Sequence, residues 1–78
     1  MKLTYDSELN IAYIRFKNKR GKVRTVCVSD ELNVDLAPDG SIYGLELLNA
    51  NQQLGIQRAK KFVVQNETSG ESLELAVG

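Results

Sequence analysis

The stretch Asn33-Val34-Asp35-Leu36-Ala37-Pro38-Asp39-Gly40-Ser41-Ile42-Tyr43-Gly44-Leu45-Glu46-Leu47-Leu48 decides the fold. It reads as strand, turn, strand. Two alternating runs flank Pro-Asp-Gly, which supplies a fixed φ, a local side-chain acceptor and a residue tolerant of positive φ. The strands run from about Leu32 to Ala37 and from Ser41 to Leu48.

Upstream, Leu3 and Tyr5 alternate with Lys2, Thr4 and Asp6, which predicts a first strand. Asp6-Ser7-Glu8 is turn-like, and Ile11 to Lys17 reads as a second strand. Asn18-Lys19-Arg20-Gly21-Lys22 is a polar loop pivoting on glycine, and Val23 to Ser29 is a third strand closed by Asp30-Glu31. Four hairpin connections in succession make an antiparallel meander the simplest topology. Downstream, Asn49 to Lys61 is rich in Asn, Gln, Ala, Arg and Lys. Asn49 or Asn51 is a candidate cap for a short helix, which Gly55 interrupts. Phe62-Val63-Val64-Gln65 and the alternating Leu73, Leu75 and Val77 predict a second small hairpin around Thr68-Ser69-Gly70-Glu71. The expected class is α+β, mostly β: an antiparallel β-meander of about five strands with a short helix and a C-terminal strand pair.

Period-two alternation sorts the strands into two faces. Leu3, Tyr5, Ala12, Ile14, Phe16, Val26, Val28, Val34, Leu36, Tyr43, Leu45 and Leu47 are expected on a core face. Thr4, Asp6, Tyr13, Arg15, Thr25, Cys27, Asn33, Asp35 and Glu46 are expected on the other, mixed with Ile11, Ile42 and Leu48. A one-residue bulge would exchange neighbours between faces.

Seventy-eight residues make one domain with a thin stability margin. Such chains gain stability from disulfides, metals or oligomerisation. A single cysteine excludes an internal disulfide, and the lack of histidine argues against a structural zinc site. Self-association is the remaining aid. Ten basic and ten acidic residues cancel, so the global charge points to no polyanionic partner. No apolar signal core or membrane-length run is present, and the expected compartment is the cytoplasm. Asn66-Glu67-Thr68 matches a glycosylation sequon, but no secretion signal accompanies it.

Three segments carry a family resemblance: Leu3-Thr4-Tyr5-Asp6, Ala12-Tyr13-Ile14-Arg15-Phe16, and Asn33-Val34-Asp35-Leu36 continued by Asp39-Gly40-Ser41-Ile42-Tyr43-Gly44-Leu45-Glu46-Leu47-Leu48-Asn49-Ala50. In order and spacing they resemble the domain-of-unknown-function family 2283, a group of small bacterial and archaeal proteins. The resemblance covers about residues 1–54 and leaves 55–78 as a C-terminal extension of the same domain. Asn49 stands where many members have aspartate. Some members are encoded beside small toxin-like proteins, so the resemblance implies an antitoxin-like or partner-binding role. It carries over no catalytic residues.

The residues offer several candidate sites. Arg15, Lys17, Lys19, Arg20, Lys22 and Arg24 place six cations in ten residues, with no acid between Glu8 and Asp30. A cationic two-stranded ribbon can enter a nucleic-acid groove or steer docking onto an acidic protein. The plainer reading is a solvated turn whose lysines discourage edge pairing, and with only Tyr13 and Phe16 nearby, base stacking is poorly supplied. Charge blocks alternate along the chain and are read as ordinary surface ion pairs. Asp6, Asp35 and Glu46 are expected to share a face with Arg15, where pairing across strands is simpler than a cation site. Cys27 has no histidine to activate it and reads as a small, partly buried strand residue.

Neither the Ser-His or Cys-His arrangements nor the phosphate-loop and dinucleotide fingerprints occur. The expected function is therefore non-enzymatic: a protein–protein interaction module without cofactor or metal. Its candidate partner-binding residues are Tyr13, Arg15, Lys19, Arg20 and Arg24. The alternative is nucleic-acid binding through the basic hairpin 15–24. Ile11, Tyr13, Ile42 and Leu48 on the nominally polar face argue for coverage by the C-terminal segment or by another copy.

Overall fold

The main sheet is antiparallel and has five strands: β1 (Lys2–Asp6), β2 (Ile11–Arg15), β3 (Arg24–Ser29), β4 (Leu32–Leu36) and β5 (Ile42–Leu48). The computed structural model describes residues 1–18, 21–55 and 61–76. A short helix, α1 (Ala50–Leu54), follows β5. Strands β6 (Lys61–Gln65) and β7 (Ser72–Ala76) pair antiparallel as a separate two-stranded sheet. The expected class therefore stands: mostly β, with one short helix and a C-terminal strand pair.

The strand order is β1-β2-β5-β4-β3, which corrects the simple meander. Strand β5 inserts between β2 and β4, so β2 to β5 form a Greek key. The connection from Arg15 to Arg24 has eight residues, longer than the two to five of ordinary hairpin loops. It crosses three strand spacings, about 15 Å, a distance well within its reach. Apolar β5 thereby takes the centre, while arginine-bearing β3 lies at an edge.

Local chemistry sets the turns. At the β4–β5 turn, Ala37 N–H donates to Ser41 O at 2.8 Å, and Gly40 N–H donates to Ala37 O at 2.9 Å. Pro38 presets one φ, and Gly40 takes φ 87°. Asp39 Oδ1 accepts from Ser41 Oγ at 2.5 Å and from Ser41 N at 3.0 Å. The β1–β2 and β6–β7 turns repeat one design. Asp6 accepts from the N–H groups of Glu8 and Leu9, and Asn66 from those of Thr68 and Ser69. Four residues after each acceptor stands a residue in the left-handed region, Asn10 or Gly70.

Register defines the faces. One row runs Leu3, Ile14, Leu45, Val34, Val26 across all five strands. The next row on that face runs Tyr5, Ala12, Leu47, Leu32, Ser29. On the opposite face, Thr4, Tyr13, Glu46, Asn33 and Cys27 align. Two bulges alter the expected assignment. Asp35 opposes Gly44 but Leu36 opposes Ile42, so Tyr43 is the extra residue. Ile42 thus joins Leu36 on the apolar face, and Tyr43 lines the polar one, the reverse of the alternation. In β3, Val28 is skipped between Cys27 and Ser29, so Ser29 rather than Val28 faces Leu32.

The helix ends at Gly55, which adopts φ 62° as its C-cap. Asn49 precedes the helix with φ 53° and makes no side-chain cap bond. Its side chain instead accepts from Asn10 at 3.2 Å and donates to Glu31 at 3.0 Å and Gln52 at 2.7 Å. Asn51 N–H donates to Asn10 Oδ1 at 2.7 Å, and the Tyr5 hydroxyl donates to Asn51 Oδ1. These bonds hold α1 over the end of the apolar face where Ala12 and Ala50 are fully buried. Beyond them only Tyr43 is a buried hydrophobic side chain among the described residues, and no large side chain is fully enclosed.

The hydrogen bond from the Ser41 hydroxyl, then that from its backbone N–H, holds the exposed Asp39 carboxyl below its ordinary value, with Lys17 adding attraction. A carboxylate depressed in the folded state stabilises above its unfolded value and loses that contribution as pH falls through the folded one. Asp39→Asn is therefore expected to lower stability at neutral pH and to remove part of the acid-induced loss. Urea midpoints measured against pH for both chains check this.

Candidate functional site

The polar face carries a hollow of about 340 Å³ lined by Lys2, Thr4, Tyr13, Arg15, Asp35 and Tyr43. Strands β1, β2, β4 and β5 all contribute to it. Gly44 lies against Tyr13, where an added Cβ would clash with the Tyr13 hydroxyl and lie 2.6 Å from the ring carbon bearing it. The Tyr13 ring therefore lies across β5 at the one position with no side chain. Its hydroxyl donates to Asp35 Oδ2 at 2.6 Å, and the Thr25 hydroxyl donates to Asp35 Oδ1 at 2.6 Å. One carboxylate thus joins side chains from β2, β3 and β4 across the glycine of β5. Lys2 and Arg15 are direct cross-strand neighbours at the rim, an arrangement of like charges that is unfavourable in isolation.

Of the candidate binding residues, Tyr13 and Arg15 meet at this hollow. Arg24 opens β3 opposite Leu36, in register with the other face. Lys19 and Arg20 lie outside the described residues. The cationic ribbon expected over 15–24 does not form, because β2 and β3 are separated by β5 and β4. Lys17, from the same run, instead reaches the β4–β5 turn, donating to Ser41 Oγ and lying 3.8 Å from Asp39. Lys61 and Glu74 make a second exposed ion pair at 3.7 Å. Such pairs contribute about 1 kcal/mol or less.

The carboxylates are not gathered. Asp6 serves its turn, Asp35 takes the two hydroxyls, and Glu46 accepts from Asn33 Nδ2 at 2.9 Å. No cluster of three potential metal ligands occurs among the described residues. Cys27, expected to be partly buried, is exposed on edge strand β3, its thiol 3.5 Å from Ser29 O. Among the described residues, no helix is long and apolar enough to cross a membrane.

The apolar face is covered unevenly. Helix α1 closes the Tyr5–Ala12 end. The β6–β7 sheet stands across the Leu3, Ile14 and Phe16 corner, leaving a cavity of about 500 Å³. In that sheet Phe62 pairs with Leu75 and Val64 with Leu73, so one side of the hairpin is wholly apolar. The β3–β4 half of the main sheet is open, with Val26 exposed and Val34 half-buried.

Sequence reasoning missed the pairing of Gly44 with Tyr13 and the asparagine cluster. A glycine inside a strand signals close approach by another group. Asn10 and Asn49 are the residue type that tolerates positive φ. Gly44→Ala is expected to displace the Tyr13 ring and cost about 1–3 kcal/mol. Tyr13→Phe, which removes one bond to Asp35, is expected to cost about 1 kcal/mol. Combining the two should cost less than their sum, because the alanine already disrupts that bond. Denaturant titrations of the four chains check this.

The family model described as Protein of unknown function (DUF2283) matches residues 2–51. Comparison with curated proteins and with solved structures gives no match. The matched span contains the whole five-stranded sheet, the Asn10–Asn49 clamp and the start of α1, and ends before the β6–β7 hairpin. On that match, which covers most of its length, the chain belongs to the DUF2283 family.

Proposed function

We propose that this chain is a non-enzymatic protein-interaction module that binds through the open half of its apolar sheet face. The supporting observation is the exposure of large apolar side chains on that face: Val26 is 37% exposed and Ile42 46%. Scattered surface hydrophobics are ordinary, but a contiguous apolar patch marks a binding surface. Val26 and Ile42 belong to one such patch with Val34 and Leu36. Arg24, beside Leu36, supplies a cationic rim that steers an encounter more than it strengthens it. Tyr13 and Arg15 lie on the other face.

The antitoxin-like role implied by the family resemblance is a finer form of this reading, with the neighbouring gene's product as partner. Val26→Lys keeps a strand residue exposed but places a charge in the patch. It is expected to abolish capture of that co-expressed product, whereas Tyr13→Phe leaves capture intact. A salt-dependent shift of labelled DNA or RNA that Val26→Lys leaves unchanged would instead favour nucleic-acid binding.

A further inference from the structure

We infer that the apolar face is occupied by a second copy of this chain, related by a two-fold axis and packed sheet face to sheet face. This rests on the interaction-module reading and names its partner. The strongest argument is area. A folded monomer of 8.7 kDa exposes about 4,700 Å² by the scaling of surface with mass. This chain exposes 6101 Å². The excess, about 1,400 Å² per chain against that 6101 Å², doubles to about 2,800 Å² in a pair, inside the obligate-homodimer range. The radius of gyration agrees: 13.9 Å, against about 11.5 Å for a compact domain of this length.

The distribution of apolar surface identifies the copy. A two-stranded hairpin is marginal in water, yet β6–β7 holds its apolar side half-exposed beside a sheet whose far half is open. In a two-fold pair the apolar rows of both sheets face each other, and each hairpin walls one side of the shared core. The same patch serves both partners, so the interface is self-complementary and closes at two copies. The zero net charge imposes no repulsion between them. Packing two sheet faces about 10 Å apart encloses side chains that a single sheet leaves wet.

Sedimentation equilibrium of the intact chain over a wide dilution series tests this. The expected mass is twice 8.7 kDa, and Val26→Lys is expected to return a monomer with strand circular dichroism unchanged. Should Val26→Lys unfold, Ile42→Lys replaces it. Cys27 lies on the polar face of edge strand β3, so maleimide should label it equally fast in dimer and monomer. A dimer that protects Cys27, or one that Val26→Lys leaves intact, overturns the face-to-face arrangement. A folded monomer at every concentration overturns the second copy. If that monomer still binds an apolar dye and loses it to a protein partner, the interaction-module reading survives. If it binds neither, both fail.

Discussion

The backbone ladders that place β5 between β2 and β4 are joined by one side-chain constraint, the Tyr13 ring over Gly44. Strand β5 is the only strand paired to both the β1–β2 hairpin and the β3–β4 pair. Whatever holds its register holds the sheet together. The ring fills the space a side chain would occupy, and its hydroxyl reaches past β5 to Asp35 on β4. A residue with a Cβ at 44 would push the ring out of reach, and a shorter residue at 13 would leave the glycine bare. Asp35 then passes the link to Thr25 on β3. A chain with so little enclosed apolar surface depends on such polar stitching more than a larger domain would.

Much of the architecture was legible because each element is signalled locally. Pro38-Asp39-Gly40 has one turn to make, and Asp6 and Asn66 each start a turn with their own side chain. Gly55 ends the helix instead of interrupting it. The strand order was not legible, because alternation marks strands without saying which ones pair. The eight-residue connection after Arg15 was the available clue. Alternation extends both strands toward each other, to Lys17 and from Val23, and so shortens the loop to a hairpin's five residues.

The faces were legible up to the bulges. Leu3, Ile14, Leu45, Val34 and Val26 line up as alternation requires. Ile42 and Tyr43 exchange places because one extra residue in β5 shifts everything beyond it. Nothing in Ser41-Ile42-Tyr43-Gly44 announces that, since both orders of the pair satisfy a period of two. The asparagine cluster escaped for another reason. Asn10 and Asn49 are 39 residues apart, and only the assembled sheet brings them together.

The polar hollow takes on a different meaning once the apolar faces are turned toward each other. In the proposed pair each copy would present Lys2 and Arg15 on its outer surface, at opposite poles. Two identical shallow basins would point away from one another, too far apart to share one small ligand. If the pair forms as proposed, any molecule suited to this hollow would meet two copies of it on one body. Two weak contacts made that way would act together through effective concentration.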